Sequence, residues 1–429
     1  MNDFLRILNS PTPTQAETYD VVLGLEKLLD KAADVSFAYP TIQPLITWTE
    51  KTNDMMLQYH LVTVFILIVQ TKSIPLLDEN LSKIIHLLIN KTNHFDVLEH
   101  TMRLAGFYVM KQTTEESLND FINIINTIKA KKRQNASVNG TLCWAMYFAL
   151  VQAANNYPNS MEKLCDAAAD YYVLQADSTE AFMHLTGAIH QCIVLNKGYI
   201  PLFESKFLFL EKLLPALRSG VEDIVTPSIN LLHQMAASDN RYIDFFMRCD
   251  ISRTLIALFD SLPKDDIVIE ALLILRYLFA GNAMRAETLI NAGIVERLIG
   301  YINRSSTYLT RSALYALTAC VEACQNRQDL LQYMIQTGVA SALIKILSMS
   351  RTFLLDDVIN AIDCSIIFLT QDSVSKEIGA HPAFEELGMG NILSSLTDAD
   401  NLSEMSKLKA KVLLDLYFKS APPNEMDEL

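Results

Sequence analysis

The sequence predicts an all-α protein built from stacked helical repeats, and three observations lead to this prediction. Apolar residues recur at helical spacing in almost every segment, for example at Leu272, Leu275, Leu278 and Phe279. Glycine and proline number only 13 each among 429 residues, which is too few for the frequent turns of a β-rich chain. One residue pattern also recurs about every 42 to 50 positions, a spacing typical of repeat proteins.

The recurring pattern is a turn residue followed by apolar residues one, five, six and nine positions later. It begins at Asp250, Gly293 and Gly338, and it recurs more weakly near Leu208 and at Gly388. Vaguer copies fall near positions 36, 78, 118 and 165. Each unit is predicted to contain two or three helices, which must stack on neighbouring units to bury their apolar faces.

A period of about 40–47 residues with two or three helices per unit is typical of armadillo and HEAT repeats. The glycine that opens one helix of the unit favours armadillo. The predicted fold is therefore an all-α, right-handed armadillo (ARM) repeat superhelical solenoid. We expect an N-terminal capping helix within residues 1–35, about eight to nine repeats over 36–419, and a disordered acidic tail over 420–429. Both end helices are expected to be polar on the side that no further repeat covers.

The composition excludes several functional classes. With 35 Lys and Arg against 49 Asp and Glu, the net charge is −14, which argues against an extended nucleic-acid-binding face. The longest apolar stretch, Leu61–Val69, is too short for a membrane span of roughly 20 residues, so no membrane partner is expected. The seven cysteines are odd in number and irregularly spaced, which indicates a reducing compartment and buried thiols rather than disulfides.

Catalytic and metal-binding motifs are absent from the sequence. The eight histidines form neither H-E-x-x-H nor another metal-ligating spacing, and there is no Gly-rich phosphate loop and no G-x-S-x-G. We therefore expect no enzyme activity, no cofactor and no metal. The extended surface of a repeat array instead predicts a binding protein.

The C-terminal third resembles a known family. The segment reads Phe384-Glu-Glu-Leu-Gly388-Met-Gly390-Asn-Ile-Leu393-Ser-Ser-Leu396, and an Ala-containing amphipathic helix that ends in Tyr417-Phe418 follows it. This stretch is similar to the last armadillo repeat of importin-α (karyopherin-α). The armadillo pattern is clear over about 208–419, and before 208 only the period carries it. The resemblance implies an import adaptor that binds an extended nuclear-localisation signal.

Two features that the resemblance implies can be examined in the sequence. The first is an N-terminal basic segment that binds importin-β. The first 50 residues hold only Arg6, Lys27 and Lys31 as basic residues. Importin-β is therefore not expected as a partner through such a segment.

The second implied feature is a Trp-x-x-x-Asn ladder on the concave helix of each repeat. In that family Trp packs on a lysine stem and Asn bonds the peptide backbone, and residues four apart share a helical face. Only Trp144 matches the Trp, and no mapped position carries the Asn, although Gln234 keeps an amide. The predicted peptide-binding groove contains Trp144, Asn230, Gln234, Tyr277, Tyr315 and Asn360. Three apolar residues of the same frame are expected to pack between repeats instead, namely Phe107, Phe148 and Leu273.

Together these observations predict an importin-α-like armadillo array that binds an extended peptide segment of a partner protein in its groove, as a nuclear import adaptor. The alternative is a cytosolic armadillo scaffold or co-chaperone unrelated to import, which the altered ladder favours. The net charge of −14 makes a basic segment one expected partner. Both hypotheses place the chain in the cytoplasm, the nucleus or both.

Overall fold

The computed structural model describes residues 6–7, 10, 13–31, 40–71, 75–131, 135–173, 179–261, 263–304, 306–349, 355–400 and 402–419. Every regular element within these residues is a helix. The predicted tail over 420–429 lies outside them. In this part of the chain no single helix is long and apolar enough to cross a membrane, and only one bent pair, Gln328–Thr337 with Val339–Ser348, reaches that length and composition together.

The helices follow one another with short connections. In chain order they are α1 Gln15–Leu29, α2 Ile42–Lys51, α3 Met55–Thr71, α4 Pro75–Lys91, α5 Phe95–Lys111, α6 Glu115–Ala130, α7 Ala136–Asn156, α8 Pro158–Ala168, α9 Thr179–Leu195, α10 Ile200–Phe207, α11 Phe209–Leu217, α12 Glu222–Ala236, α13 Asn240–Arg248, α14 Ile251–Asp260, α15 Asp265–Phe279, α16 Ala283–Asn291, α17 Ile294–Ile302, α18 Thr307–Ala323, α19 Gln328–Thr337, α20 Val339–Ser348, α21 Leu355–Ser375, α22 Ala380–Glu386, α23 Met389–Thr397 and α24 Glu404–Leu413. A π-helical turn, Leu414–Phe418, continues α24.

The chain forms two compact units. The first comprises Met1–Ala216 and Val221–Leu231, and the second comprises Leu217–Gly220 and Leu232–Leu429. We call them the N-terminal unit and the C-terminal unit.

The N-terminal unit begins as helix pairs arranged in two layers. The long helices α3, α5, α7 and α9 lie side by side in chain order, so that α7 packs against both α5 and α9. The preceding helices α2, α4, α6 and α8 form the second layer in the same order. Helix α1 packs on α3 at the place of the predicted N-terminal cap. The residue before α1, Thr14, is its N-cap and forms a capping box with Glu17.

The C-terminal unit is built from three-helix repeats, each with two short helices followed by a long one. The repeats are α13–α15, α16–α18, α19–α21 and α22–α24. Their long helices α15, α18, α21 and α24 lie side by side. Two short helices and one long helix per unit of this period is the armadillo arrangement.

The turn between the two short helices stands where the sequence pattern begins. Gly293, Gly338 and Gly388 have φ values of 84°, 102° and 76°, a left-handed conformation that glycine adopts without steric cost. Asp250 takes the same place with φ 56°, and its side chain accepts hydrogen bonds from the Ser252 hydroxyl and the Arg253 amide. Short polar side chains of this kind offset the cost of the left-handed region by local bonding.

The apolar positions of the pattern form the core of each repeat. The residues one, five and nine places after the turn are buried in the repeats that begin at Asp250, Gly293 and Gly338. In the middle repeat these are Ile294, Leu298 and Ile302. The residue six places after the turn is less completely buried, since Ile256 and Ile299 are half-buried. The frame read from the sequence therefore identifies both the turn and the core of these repeats.

Before residue 208 the repeats are of a simpler kind. Position 78 lies within α4 and position 118 within α6, and both helices run without a break. Position 165 lies within α8, and position 36 lies outside the described residues. Among the described residues, left-handed φ values occur only from Leu208 onward. One continuous helix thus replaces the two short ones.

One expectation about exposure needs correction. Six cysteines are buried as expected, but Cys249, at the end of α13, is exposed. The polar outer side expected at the C-terminal end is present on α23, which exposes Asn391, Ser394 and Ser395. The last long helix, α24, and its π-helical turn expose charged side chains, among them Glu404, Lys411 and Asp415, together with apolar ones.

Candidate functional site

The long helices of the N-terminal unit carry a cluster of aromatic side chains. Trp144, near the middle of α7, is half-buried. Its ring packs edge-to-face on Phe107 of α5, with centroids 5.5 Å apart, and on Phe148 of α7, with centroids 5.1 Å apart. Tyr147 meets Phe148 in the same way at 5.3 Å. We call Phe107, Trp144, Tyr147 and Phe148 the aromatic cluster, and all four members keep part of their surface exposed.

Glycine on the neighbouring helix sets the position of the tryptophan. A Cβ atom added to Gly106 would lie 2.3 Å from Cζ3 of Trp144, so the indole rests directly on the backbone of α5. Any other residue at this position would push the ring away. On the other flank Gly187 of α9 faces Tyr147, and a Cβ there would stand at an ordinary 3.7 Å. The close approach of α5 to α7 therefore holds Trp144 against the helix layer.

Polar aromatic residues line the next helix of the layer. Tyr59 of α3 lies 4.6 Å from the ring of His100 on α5. The adjacent His60 is fixed by its Nδ1, 2.6 Å from the Glu26 carboxylate, and its Nε2, 3.2 Å from the Tyr19 hydroxyl. This part of the layer offers ring surfaces together with hydrogen-bonding groups.

The C-terminal unit presents a related set of side chains on its own long helices. Tyr277 of α15 and Tyr315 of α18 are both half-buried, and partial burial raises the pKa of the Tyr315 phenol. The exposed Arg276 guanidinium stands 5.5 Å from the centroid of the Tyr315 ring. His233 lies 5.8 Å from the ring of Tyr277 and bonds Glu270 at 2.6 Å.

Ion pairs join the long helices of this unit to one another. Arg311 of α18 bonds the fully buried Asp357 of α21 at 3.2 Å. Lys409 of α24 reaches both carboxylate oxygens of Asp363 on α21, at 2.6 and 2.7 Å. These pairs fix the register of adjacent repeats, since each partner is positioned by a different helix.

The remaining predicted groove residues are amides. Asn230 and Gln234 lie one turn apart on α12, and Asn360 lies on α21. All three are half-buried, as are Trp144 and the two tyrosines of the predicted groove. Their role in binding a peptide stays a prediction.

Sequence reasoning did not single out every member of the site. Phe107, Phe148 and Leu273 were expected to pack between repeats; each is half-buried, and Phe107 of α5 packs on Trp144 of the neighbouring long helix α7. Tyr147 and Arg276 were not singled out. Tyr147 lies three residues after Trp144, and Arg276 lies next to Tyr277, so helical spacing around the predicted residues could have indicated both.

The chemistry of these surfaces is that of binding. Within the described residues no three His, Cys, Asp or Glu side chains converge to hold a metal ion. Burial raises the pKa of the Cys192 and Cys364 thiols to about 12, which disfavours the nucleophilic thiolate. The half-exposed rings and amides can instead pack on aliphatic stems and hydrogen-bond a polypeptide backbone.

Comparison with known proteins bears on the fold. No protein-family model matches the sequence, and no curated protein matches it. The structure is similar to that of an engineered protein known from crystallography, with a TM-score of 0.65, 13% sequence identity, and coverage of 98% of this chain and 100% of that one.

Two further likenesses are partial. Computationally designed armadillo repeat proteins for modular peptide recognition share 18% identity, with a TM-score of 0.43, over 62% of this chain and 97% of theirs. A designed armadillo repeat protein in complex with the peptide (KR)4 shares 17% identity, with a TM-score of 0.42, over the same fractions of the two chains. The engineered protein superposes on almost the full length of this chain. Its likeness and the three-helix repeats described above establish an all-α fold of the armadillo-repeat type.

Proposed function

We propose that the chain is a binding protein that holds an extended peptide segment of a partner against its long repeat helices. The observation that carries this proposal is the aromatic cluster around Trp144. Four aromatic side chains keep exposed surface on the layer of long helices, and Gly106 holds the indole in place. Large, rigid rings of this kind supply binding surface at little entropic cost, because few side-chain torsions must be fixed.

The expected anchor is a side chain with a long apolar portion. Edge-to-face rings leave aromatic faces that can receive a methylene stem, and a lysine or arginine would gain cation–π attraction there. Half-exposed amides would bond the peptide backbone, with Asn230 serving the N-terminal unit and Gln234 and Asn360 the C-terminal unit. In the C-terminal unit, Tyr277 and Tyr315 would supply the rings, and the exposed Arg276 would meet a carbonyl or carboxylate of the segment.

The finer form of this proposal is a nuclear import adaptor. It is supported by the importin-α-like stretch at 384–418 and by the net charge of −14, which favours a basic segment. A scaffold or co-chaperone unrelated to import is the second candidate. It is favoured because Trp144 is the only tryptophan of the ladder and the ladder has no asparagine at its second position. In either form the chain would work in the cytoplasm, the nucleus or both.

Affinity selection tests the general proposal. A displayed library of random 12-residue peptides is panned on the full chain, and the selected peptides are titrated by calorimetry. We expect micromolar or tighter binding that Trp144→Ala weakens by about 2 kcal/mol, or roughly 30-fold. Phe95→Ala is the matched control, because Phe95 is an exposed aromatic residue of the same unit outside the cluster. Selected peptides that bind Trp144→Ala as tightly as the unaltered chain would show that the site lies elsewhere.

A lysine-rich localisation-signal peptide separates the two finer forms. An import adaptor is expected to bind it with micromolar affinity that depends on Trp144, whereas a scaffold is expected to bind only other selected sequences. Importin-β is assayed in parallel by pull-down. Failure of both ligands, with binding of selected peptides retained, would reject the import role and leave the general proposal intact.

A further inference from the structure

The first short helices of two neighbouring repeats enclose a groove in the C-terminal unit. Its volume is about 660 Å³. Every described residue of its lining lies on α13, on α16 or at Asn282, the N-cap of α16. The groove is therefore distinct from the surface of the long helices. We call it the arginine groove, because its lining includes Arg241 and Arg248 of α13 and Arg285 of α16.

One ion pair joins the two walls of the arginine groove. Arg285 of α16 reaches across to α13 and donates a hydrogen bond of 2.6 Å to the Asp244 carboxylate. The Arg285 side chain is only 15% exposed, so this pair belongs to the floor of the groove. Among the described residues of the lining, Asp244 is the one carboxylate. Because Arg285 neutralises it, the charge that remains for a partner is that of Arg241 and Arg248.

These two remaining arginines stand at opposite ends of α13. They are seven residues apart, which is two turns or about 10 Å along the helix axis. The Arg241 guanidinium lies 4.5 Å from the centroid of the Tyr242 ring, and its Nε lies 3.7 Å from the Asp239 carboxylate. Both members of the Arg241–Asp239 pair are more than half exposed, so the pair contributes little and leaves Arg241 open to other anions.

Arg248 carries a charge that the chain itself does not use. Its side chain is exposed and forms no ion pair with any described residue. Asp250 is close in sequence, but its carboxylate already accepts hydrogen bonds from the Ser252 hydroxyl and the Arg253 amide at the start of α14. The guanidinium at this end of the arginine groove can therefore bind a carboxylate of a partner through two parallel hydrogen bonds.

Methionine side chains add apolar surface beside the arginines. Met284, the second residue of α16, is 77% exposed, and Met247 of α13 is half-buried. Methionine is flexible and polarizable, so it adapts to apolar side chains of different shapes. The arginine groove thus offers cationic groups and an apolar contact within one concave surface.

We propose that the arginine groove binds an acidic segment of a partner protein. In this segment a leucine or methionine packs on Met284, and an adjacent Asp or Glu pairs with Arg248. A nucleic-acid backbone would require a longer row of cations than two exposed arginines. The net charge of −14 repels an acidic partner at a distance, but salt screens this repulsion beyond about 10 Å at 0.1 M. The local charges of the groove then decide the contact.

Peptide selection on the full chain tests this proposal. A displayed library of random 12-residue peptides is panned, and the acidic peptides recovered are titrated by calorimetry. We expect a class in which Asp or Glu flanks Leu or Met and which binds with micromolar affinity. Arg248→Glu should weaken this binding at least ~10-fold. Arg253→Glu is the matched control, because it makes the same change of charge at an exposed residue of α14 outside the groove and should leave the binding unchanged.

Two further readouts separate the groove from other sites. Met284→Ala should weaken the acidic peptides about tenfold, because it removes the apolar contact without touching the core. Circular dichroism verifies that each variant stays folded. The proposal is overturned if no acidic peptide binds with a dissociation constant below about 100 μM, or if Arg248→Glu binds the acidic peptides as tightly as the unaltered chain. Acidic peptides that depend on Trp144 instead of Arg248 would likewise reject the arginine groove and leave the aromatic cluster as their site.

Discussion

Replacing Gly106 with alanine tests the packing that holds Trp144 in the aromatic cluster. The new Cβ would lie 2.3 Å from Cζ3 and 2.8 Å from Cε3 of the indole. Carbon atoms pack at about 3.5–4.0 Å, so the ring must move by about 1 Å or α5 must separate from α7. Overpacking of this kind costs about 1–3 kcal/mol. The better helix propensity of alanine returns about 1 kcal/mol, which leaves a net loss of about 0–2 kcal/mol.

The chain offers both a reporter and a matched control for this experiment. It has two tryptophans, so Trp48→Phe leaves Trp144 as the single tryptophan fluorophore. Trp48 is only 7% exposed, and phenylalanine keeps an apolar ring at that buried position. Gly187→Ala is the control, because it also replaces a helical glycine beside the cluster but places its Cβ at 3.7 Å from Tyr147. That change is expected to stabilise the fold by about 0.5–1 kcal/mol.

Urea unfolding monitored by Trp144 emission gives the result. In the Trp48→Phe background we expect Gly106→Ala to unfold at lower urea than Gly187→Ala, because its free energy of unfolding is lower by about 0.5–3 kcal/mol. Its native emission should also shift to the red as the ring becomes more exposed. If the Gly106→Ala chain is as stable as the Gly187→Ala chain and its emission is unchanged, the Trp144 ring does not depend on the space that Gly106 leaves.

Three further predictions concern the repeats themselves. Gly338 has a φ of 102°, so Gly338→Ala is expected to destabilise the C-terminal unit by about 1–2 kcal/mol in thermal unfolding. Gly300→Ala, in open space within α17, is expected to stabilise it. Equal effects of the two substitutions would contradict the turn assignment. Asp372→Ala removes a buried carboxylate that accepts hydrogen bonds from the backbone amides at the start of α22, so a loss of about 2 kcal/mol or more is expected, and an unchanged urea midpoint would contradict that role. A thiol reagent at neutral pH should label Cys249 rapidly in the native chain and the other six cysteines only on unfolding; rapid labelling of more than one thiol would contradict the burial described above.

The sequence predicts the fold best where a turn requires a particular residue type. In the C-terminal unit a glycine or aspartate precedes a fixed apolar spacing, and the structure places a left-handed turn at each one. Before residue 208 no such residue interrupts the short helices. Helix α6 therefore runs unbroken from Glu115 to Ala130, and only the period remains visible. Steric demand at a turn selects a residue type, but uninterrupted helix leaves no comparable signal.

The site was less accessible to sequence reasoning for a physical reason. Apolar residues at helical spacing are usually core, so Phe107 and Phe148 were assigned to packing. Whether such a ring is covered depends on how closely the neighbouring helix approaches, which is a tertiary property. Gly106, in the middle of a helix, was the available clue, because a helical glycine costs stability unless another group needs the space. In this chain Trp144 occupies that space.

The central claim is that the aromatic cluster is where a peptide segment binds. The most direct measurement is the emission of Trp144 in the Trp48→Phe chain during titration with a peptide selected on the full chain. We expect a saturable shift of the emission to the blue, with the same midpoint as calorimetric binding, because a bound side chain would cover the exposed part of the indole. Calorimetric binding without any change in Trp144 emission would contradict the claim.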